Sequence, residues 1–228
     1  MAGKSCSSKL LFNGAVTSFD RFHEIQRQLP ERTSLLAVSK GHRAAAIRSL
    51  ASHGHCDFGE SRLQEAIPKM NELSDITKIR WHFIGHLQAN KVRSVVQKFD
   101  VIHSLDSLKL AQRVSRIAGE EGKSPIVMAQ VKFRIDPNKS GFSEPELLEA
   151  WFDLVKLPNI HLVGLMTIAP IMLDLNQRKT LFKQCRDLAD KLDLKECSMG
   201  MSADWKEALA AGATWVRIGS GLFGERHK

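Results

Sequence analysis

Apolar residues along this chain fall into blocks of two kinds. Short runs of mostly aliphatic residues, as in strands buried on both faces, alternate with longer stretches in which apolar positions recur about every third or fourth residue, as in amphipathic helices. The pattern predicts a helix over 11–29, with Leu11, Val16, Phe19, Phe22 and Ile25 on one side and a stop at Pro30, then a strand over 35–40. Helix 44–53, strand 56–59, helix 61–73, strand 81–85, helix 90–98, strand 101–104, helix 107–121 and strand 126–133 follow. The remainder reads as helix 144–156, strand 160–167, helix 176–192, a weak strand 196–199, helix 203–212 and strand 214–218. Strand 126–133 is the strongest by residue type.

Strands alternating with helices in this number and order predict an α/β fold, a single (β/α)₈ TIM barrel with an extra N-terminal helix. A doubly wound open sheet shares the alternation and is the alternative, since the sequence does not show whether the edge strands pair. No linker rich in Pro, Gly or Ser divides the chain, so residues 11–228 are expected to form one domain, preceded by a disordered Ser- and Lys-rich segment over 1–10.

Composition narrows the classes of function. With 43% hydrophobic and 25% charged residues among 228, the chain reads as an ordinary soluble globular protein. Its net charge of +8 favours anionic partners such as nucleic acid, acidic proteins or phosphate esters. The basic residues form no run and have no aromatic residues interleaved with them, which argues against a nucleic-acid module. Cys6, Cys56, Cys185 and Cys197 have no paired spacing and no signal peptide precedes them, so they read as reduced thiols of a cytoplasmic protein. No apolar run approaches the roughly eighteen residues of a membrane span.

Candidate chemistry gathers at strand ends. The strand over 35–40 closes on Lys40, followed at once by Gly41, and in parallel α/β folds the carboxyl ends of the strands carry the chemistry. A lysine at a strand end is most often merely solvated. However, Gly200 to Ser202 and Gly219 to Gly221 fall after the seventh and eighth strands, where (β/α)₈ barrels hold phosphate on exposed backbone N–H groups. Residues 219–224 also spell G-x-G-x-x-G, but a dinucleotide site needs a helix, a strand and an acidic residue beyond it, and four residues follow Gly224. A lysine beside a phosphate cup suggests an aldehyde-bearing phosphate ester, held by a Schiff base at one end and by backbone donors at the other. Burial, or Arg217 nearby, would lower the lysine pKa from about 10.4 and supply the nucleophilic amine. His82 and His86 have metal-ligand spacing, but the strand pattern and Gly85 spoil that geometry, and no metal centre is expected.

Six ordered segments add up to a resemblance. They are Ala-Val-Ser-Lys at 37–40, Phe-Gly-Glu-Ser-Arg-Leu-Gln-Glu at 58–65, Trp-His-Phe-Ile-Gly-His-Leu-Gln-Ala-Asn-Lys at 81–91, Gly-Leu-Met-Thr-Ile at 164–168, Ser-Met-Gly-Met-Ser-Ala-Asp at 198–204 and Val-Arg-Ile-Gly at 216–219. From about residue 34 onward the chain resembles the pyridoxal phosphate homeostasis protein family, itself similar to the barrel domain of alanine racemase. The resemblance implies pyridoxal 5'-phosphate (PLP) bound as a Schiff base on Lys40, and a role in intracellular PLP and amino-acid balance without strong catalysis. It further implies Ser202, Gly219 and Ser220 at the phosphate, Arg217 near the pyridine nitrogen, and His82, Asn90 and Met166 lining the ring side or the strand ends. Ser61, where the family usually has Asn, and Met201 complete the expected cofactor-binding set. The stretch 131–141 departs from the family's version; Lys139 keeps its Lys-x-Gly pattern and reads as a second reachable lysine or a plain surface one. PLP-dependent apoenzymes are the implied recipients, and a monomer is expected. The alternatives are a PLP-dependent racemase and a basic barrel that binds anions or RNA. Racemisation needs an acid/base group on each face of the cofactor, and this chain contains no tyrosine, the lysine's counterpart in alanine racemase, and no second domain.

Overall fold

The computed structural model describes residues 17–136 and 139–225, so the segment 1–10 and the first part of the helix expected over 11–29 lie outside the described residues. Eight strands, β1 Ser34–Val38, β2 Asp57–Glu60, β3 Arg80–Phe83, β4 Val101–Leu105, β5 Ile126–Gln130, β6 His161–Met166, β7 Glu196–Met201 and β8 Trp215–Ile218, pair in sequence order into a closed barrel. All pairs are parallel, and β8 returns to β1 through Leu35 opposite Val216 and Leu36 opposite Arg217. Closure answers the question that the strand count leaves open: this is the TIM barrel, not the open sheet.

Helices α1 Ser18–Gln28, α2 Ala44–Ala51, α3 Leu63–Glu72, α4 Val92–Lys98, α5 Leu108–Glu120, α6 Glu144–Val155, α7 Leu175–Lys191, α8 Trp205–Ala210 and α9 Ser220–Phe223 surround it. Local chemistry sets several of their starts. Ser143 and Glu146 form a capping box at α6, and Asp174 and Gln177 do the same at α7, so backbone donors that would otherwise lack partners are satisfied there. The N-terminal helix packs Phe22 and Ile25 inward, and Arg21 donates from Nη1 to the Leu222 carbonyl of α9 at 3.4 Å.

Two layers of core follow from the alternation of strand side chains. Leu35 and Ala37 join the large cluster beneath the helices, whereas Leu36 and Val38, on the other face of β1, lie within the barrel with Val101, Met128 and Met166. Three strands stop two or more residues earlier than the apolar pattern predicts; the third, expected to reach Gly85, ends at Phe83. The first ends at Val38, because Gly41 takes φ +79° and turns the chain, which puts Lys40 in the turn instead of on the strand. The fifth ends at Gln130: beyond it the chain pairs with its own returning loop, Val131 bridging Phe142. Helix α9 has too few residues to show a period and was not foreseen. Among the described residues no helix is long and apolar enough to cross a membrane.

Candidate cofactor site

At the carboxyl ends of the strands lies a cavity of about 570 Å³. Every strand except β4 contributes to its wall: Lys40 follows β1, Ser61 follows β2, Ile84, Gly85 and His86 follow β3, Gln130 ends β5, Ile168 follows β6, Met201 ends β7 and Arg217 is on β8. Lys139 and Ser140, from the loop after β5, complete it. A larger hollow of about 680 Å³ lies outside the barrel, against α7, α8 and the start of β7. Its Arg186 and Asp190 are already paired with each other at 2.8 Å, and no comparable set of donors converges there.

Arg217 forms the floor of the cavity. Only 4% exposed, it donates from Nη1 to Ser198 O (2.6 Å) and Oγ (2.8 Å) and from Nη2 to Thr167 O (2.8 Å). Burial lowers its pKa to about 10, so it remains a cation at neutral pH.

Beneath the arginine a line of hydrogen bonds crosses the barrel. Ser198 Oγ lies 2.8 Å from His103 Nδ1, His103 Nε2 lies 2.9 Å from His82 Nδ1, and His82 Nε2 lies 2.9 Å from Asp57 Oδ1. Arg80 Nε meets the same carboxylate oxygen at 2.5 Å. Burial lowers the pKa of both histidines and keeps them neutral. Burial alone would raise the Asp57 pKa, but the bonds from His82 and Arg80 outweigh it and hold the carboxyl at about 2. An ionised carboxylate only accepts and an arginine only donates, so the ends fix every proton between them. His82 donates from Nε2, His103 donates from Nε2 to His82, and Ser198 donates to His103 while accepting from Arg217.

The side expected to hold phosphate comprises the last residues of β7 and the loops after β7 and β8. Gly200, at φ +87°, sits where an added Cβ would lie 2.6 Å from Ala208 Cβ, so the chain can turn there only as glycine. Next to it, Ser202 Oγ accepts from the N–H groups of Gly219 (3.3 Å) and Gly221 (3.2 Å). These two donors converge on one small oxygen, the arrangement an anion oxygen needs. Ser220 begins α9 beside them and is exposed.

The residues singled out from sequence therefore divide. Lys40, Ser61, Met201 and Arg217 line the cavity, and Ser202, Gly219 and Ser220 form the adjoining loop pair. His82 and Met166, at 0% and 1% exposure, do not reach the cavity wall. The reason is the strand period: Ile84 and Ile168, two residues further along, face the cavity, and His82 and Met166 occupy the layer below. Asn90 sits exposed in the short 3₁₀ turn Ala89–Lys91 and is not part of the wall. Lys139 is exposed and does line it. His86 lies 3.1 Å from Ser140 Oγ and 3.4 Å from Asp106 Oδ2, well away from the buried His82 pair, so the two histidines do not converge on a metal. Sequence reasoning overlooked Gln130, which donates to Ser140 O at 2.5 Å and anchors the returning loop. A polar residue inside the strongest apolar run was the available signal.

The chain matches the family model described as alanine racemase, N-terminal domain, over residues 19–227. It is 44% identical to the pyridoxal phosphate homeostasis protein of Synechocystis sp. over 211 residues, covering 90% of this chain and 97% of the relative. The chain belongs to that family. The family's protein from Pseudomonas aeruginosa is also 44% identical, over 201 residues and 86% of each chain. PipY of Synechococcus elongatus, solved with PLP bound, superimposes with a TM-score of 0.88 at 44% identity, covering 91% of this chain and all of that one. An alanine racemase of Clostridium difficile shares the fold alone, at 19% identity and a TM-score of 0.74, with 93% of this chain covering 57% of the enzyme. The six segments quoted from the sequence each run across the carboxyl end of a strand.

Proposed function

We propose that this chain binds PLP in the cavity at the carboxyl ends of the strands, attached covalently through Lys40, and serves intracellular PLP and amino-acid homeostasis as a carrier with no strong catalytic activity of its own. The observation that carries this reading is the pairing of two unlike groups on one cavity, an amine at Lys40 and a buried guanidinium at Arg217, with the N–H donors of Gly219 and Gly221 on the loop that follows Arg217 out of β8. That set of groups fits PLP, whose aldehyde, ring nitrogen and phosphate would be met by a nucleophile, a hydrogen-bond donor and backbone N–H groups in turn. When bound, PLP supplies an electrophilic aldehyde and an aromatic ring able to withdraw electrons. The net charge of +8 attracts its phosphate at a distance.

Carrier behaviour follows from the ring partner. A charged, donor-only arginine favours an unprotonated ring nitrogen, and an unprotonated ring withdraws electrons weakly. The absence of tyrosine from the chain removes the residue that faces the lysine in alanine racemase. Release to PLP-dependent apoenzymes, in the cytoplasm and from a monomer, completes the reading.

The deciding experiment is the visible spectrum with PLP, followed by borohydride reduction and peptide mapping, on the native chain and Lys40→Ala. The expected result is a visible band in the native chain, a reduced adduct on the Lys40 peptide, and neither in the variant. An adduct on the Lys139 peptide would move the attachment to that lysine, which shares the cavity. Alanine racemisation that depends on Lys40 would overturn the carrier reading.

A further inference from the structure

A lysine in a turn is only as well placed as the backbone that carries it. In this chain the residues on both sides of Lys40 are tied to α3 through side chains. Before it, the Ser39 carbonyl accepts from Lys69 Nζ at 2.9 Å, and Ser39 Oγ donates to Glu60 Oε1 at 2.7 Å. After it, the Gly41 N–H donates to Glu65 Oε1. Lys69 closes the figure by donating to Glu60 Oε1 (2.7 Å) and Glu65 Oε1 (2.6 Å), which uses all three of its ammonium protons. Glu65 and Lys69 are four apart on α3 and so share a face.

The cluster is costly where it stands. Glu60 is fully buried and Lys69 is 8% exposed, and an ion pair in such a place is a poor source of stability compared with apolar packing. The second oxygen of Glu60 is buried with no hydrogen-bond partner among the described residues. Burial accordingly pushes the Glu60 pKa up, against the opposing bonds from Lys69 and Ser39. A group of charges held at such cost, with its contacts directed to Ser39 and Gly41, has a positional role and not a stabilising one.

We propose that Glu60, Glu65 and Lys69 are positioning residues that fix the Ser39–Gly41 turn so that the Lys40 amine enters the cavity, and that they thereby set how completely the cofactor aldehyde is captured. The proposal rests on Lys40 as the attachment lysine. None of the three residues lines the cavity, so they act through their bonds to Ser39 and Gly41.

The test uses the full chain and two readouts: amide hydrogen exchange at Gly41 without added PLP, and the PLP concentration giving half-maximal borohydride-trapped adduct. Because Lys69→Met strands buried carboxylates, the primary variant is Glu65→Ala, whose side chain is 30% exposed. Loss of a charged acceptor should speed Gly41 exchange by about tenfold or more and raise the half-trapping concentration by a similar factor. Glu65→Gln keeps an oxygen for the Gly41 N–H and should restore most of both, and Glu72→Ala, exposed on the same helix, should change neither. Unchanged Gly41 exchange in Glu65→Ala would overturn the proposal, as would faster exchange with undiminished capture. Trapping that persists in Lys40→Ala would remove the attachment reading and the capture half of the proposal with it. Gly41 exchange would still decide whether the cluster holds the turn.

Discussion

Two polar networks serve the same end of this barrel on opposite sides of its wall. Inside, Arg217, Ser198, His103, His82 and Asp57 form a line in which all the middle members are neutral and charge sits only at the ends. Outside, Glu60, Glu65 and Lys69 form a knot in which every side chain is ionisable. The line resembles a row of dipoles: each bond is modest, but no member bears an uncompensated charge. The knot concentrates its Coulombic attraction, and losing one member leaves a buried charge behind. Buried polar groups of similar depth can thus differ sharply in how they fail.

The largest effect should come from cutting the knot. Lys69→Met leaves the fully buried Glu60 without its cation and should cost about 3–5 kcal/mol in urea denaturation. Adding Glu60→Leu to it should recover more than half of that loss, since an apolar pair of similar volume needs no counter-charge. A double variant no more stable than the single one would show that the knot's members do not share one energy.

Breaking the line should cost less. His103→Leu deprives the Ser198 hydroxyl and His82 Nδ1 of a partner and should destabilise the fold by about 2 kcal/mol. The same substitution should flatten the acid limb of stability. Buried His82 and His103 have folded pKa values below 6.5, so the unfolded chain binds more protons than the folded one as pH falls below about 6.5. Native stability should therefore fall with decreasing pH over that range, by up to about 1.4 kcal/mol per pH unit for each such histidine. The variant should lose one histidine's share of the slope. The knot works the other way: the raised Glu60 pKa means that stability falls as pH rises from 4.5 toward the folded value.

The smallest effect belongs to Asp57→Asn, which keeps an acceptor oxygen for His82. Because the Asp57 pKa is held at about 2, its contribution is present above about pH 4 and lost as pH falls toward 2. The variant should lose about 1–2 kcal/mol at pH 7 and match the native chain near pH 2. A difference that stayed constant with pH would mean that the carboxylate charge does not anchor the line.

What the sequence disclosed of this arrangement was its punctuation. Lys40 with Gly41, Gly200 with Ser202, and Gly219 with Gly221 stand where apolar runs stop, and position along the chain sufficed to put them at one end of the fold. Barrel closure was not legible, because the pairing of β1 with β8 joins residues far apart in sequence with no local mark. Nor was the inner line, whose members come from five different strands and look like isolated polar residues in apolar runs. His82 illustrates the limit. Its motif reaches the cavity, but a shift of two residues along a strand changes the layer, and Ile84 takes the place at the cavity wall.

The contact between Arg21 and Leu222 spans 201 positions and lies beside the β1–β8 seam. In kinetic terms this closes a loop of nearly the whole described chain, and contacts of such separation are costly to form early in folding. Strand β8 pairs with β7 and its following loop meets Ser202 over short separations, but the second edge of β8 gains its neighbour only when that seam shuts. The cavity, whose wall joins Lys40 after β1 to Arg217 on β8, is thus completed only when the ring closes.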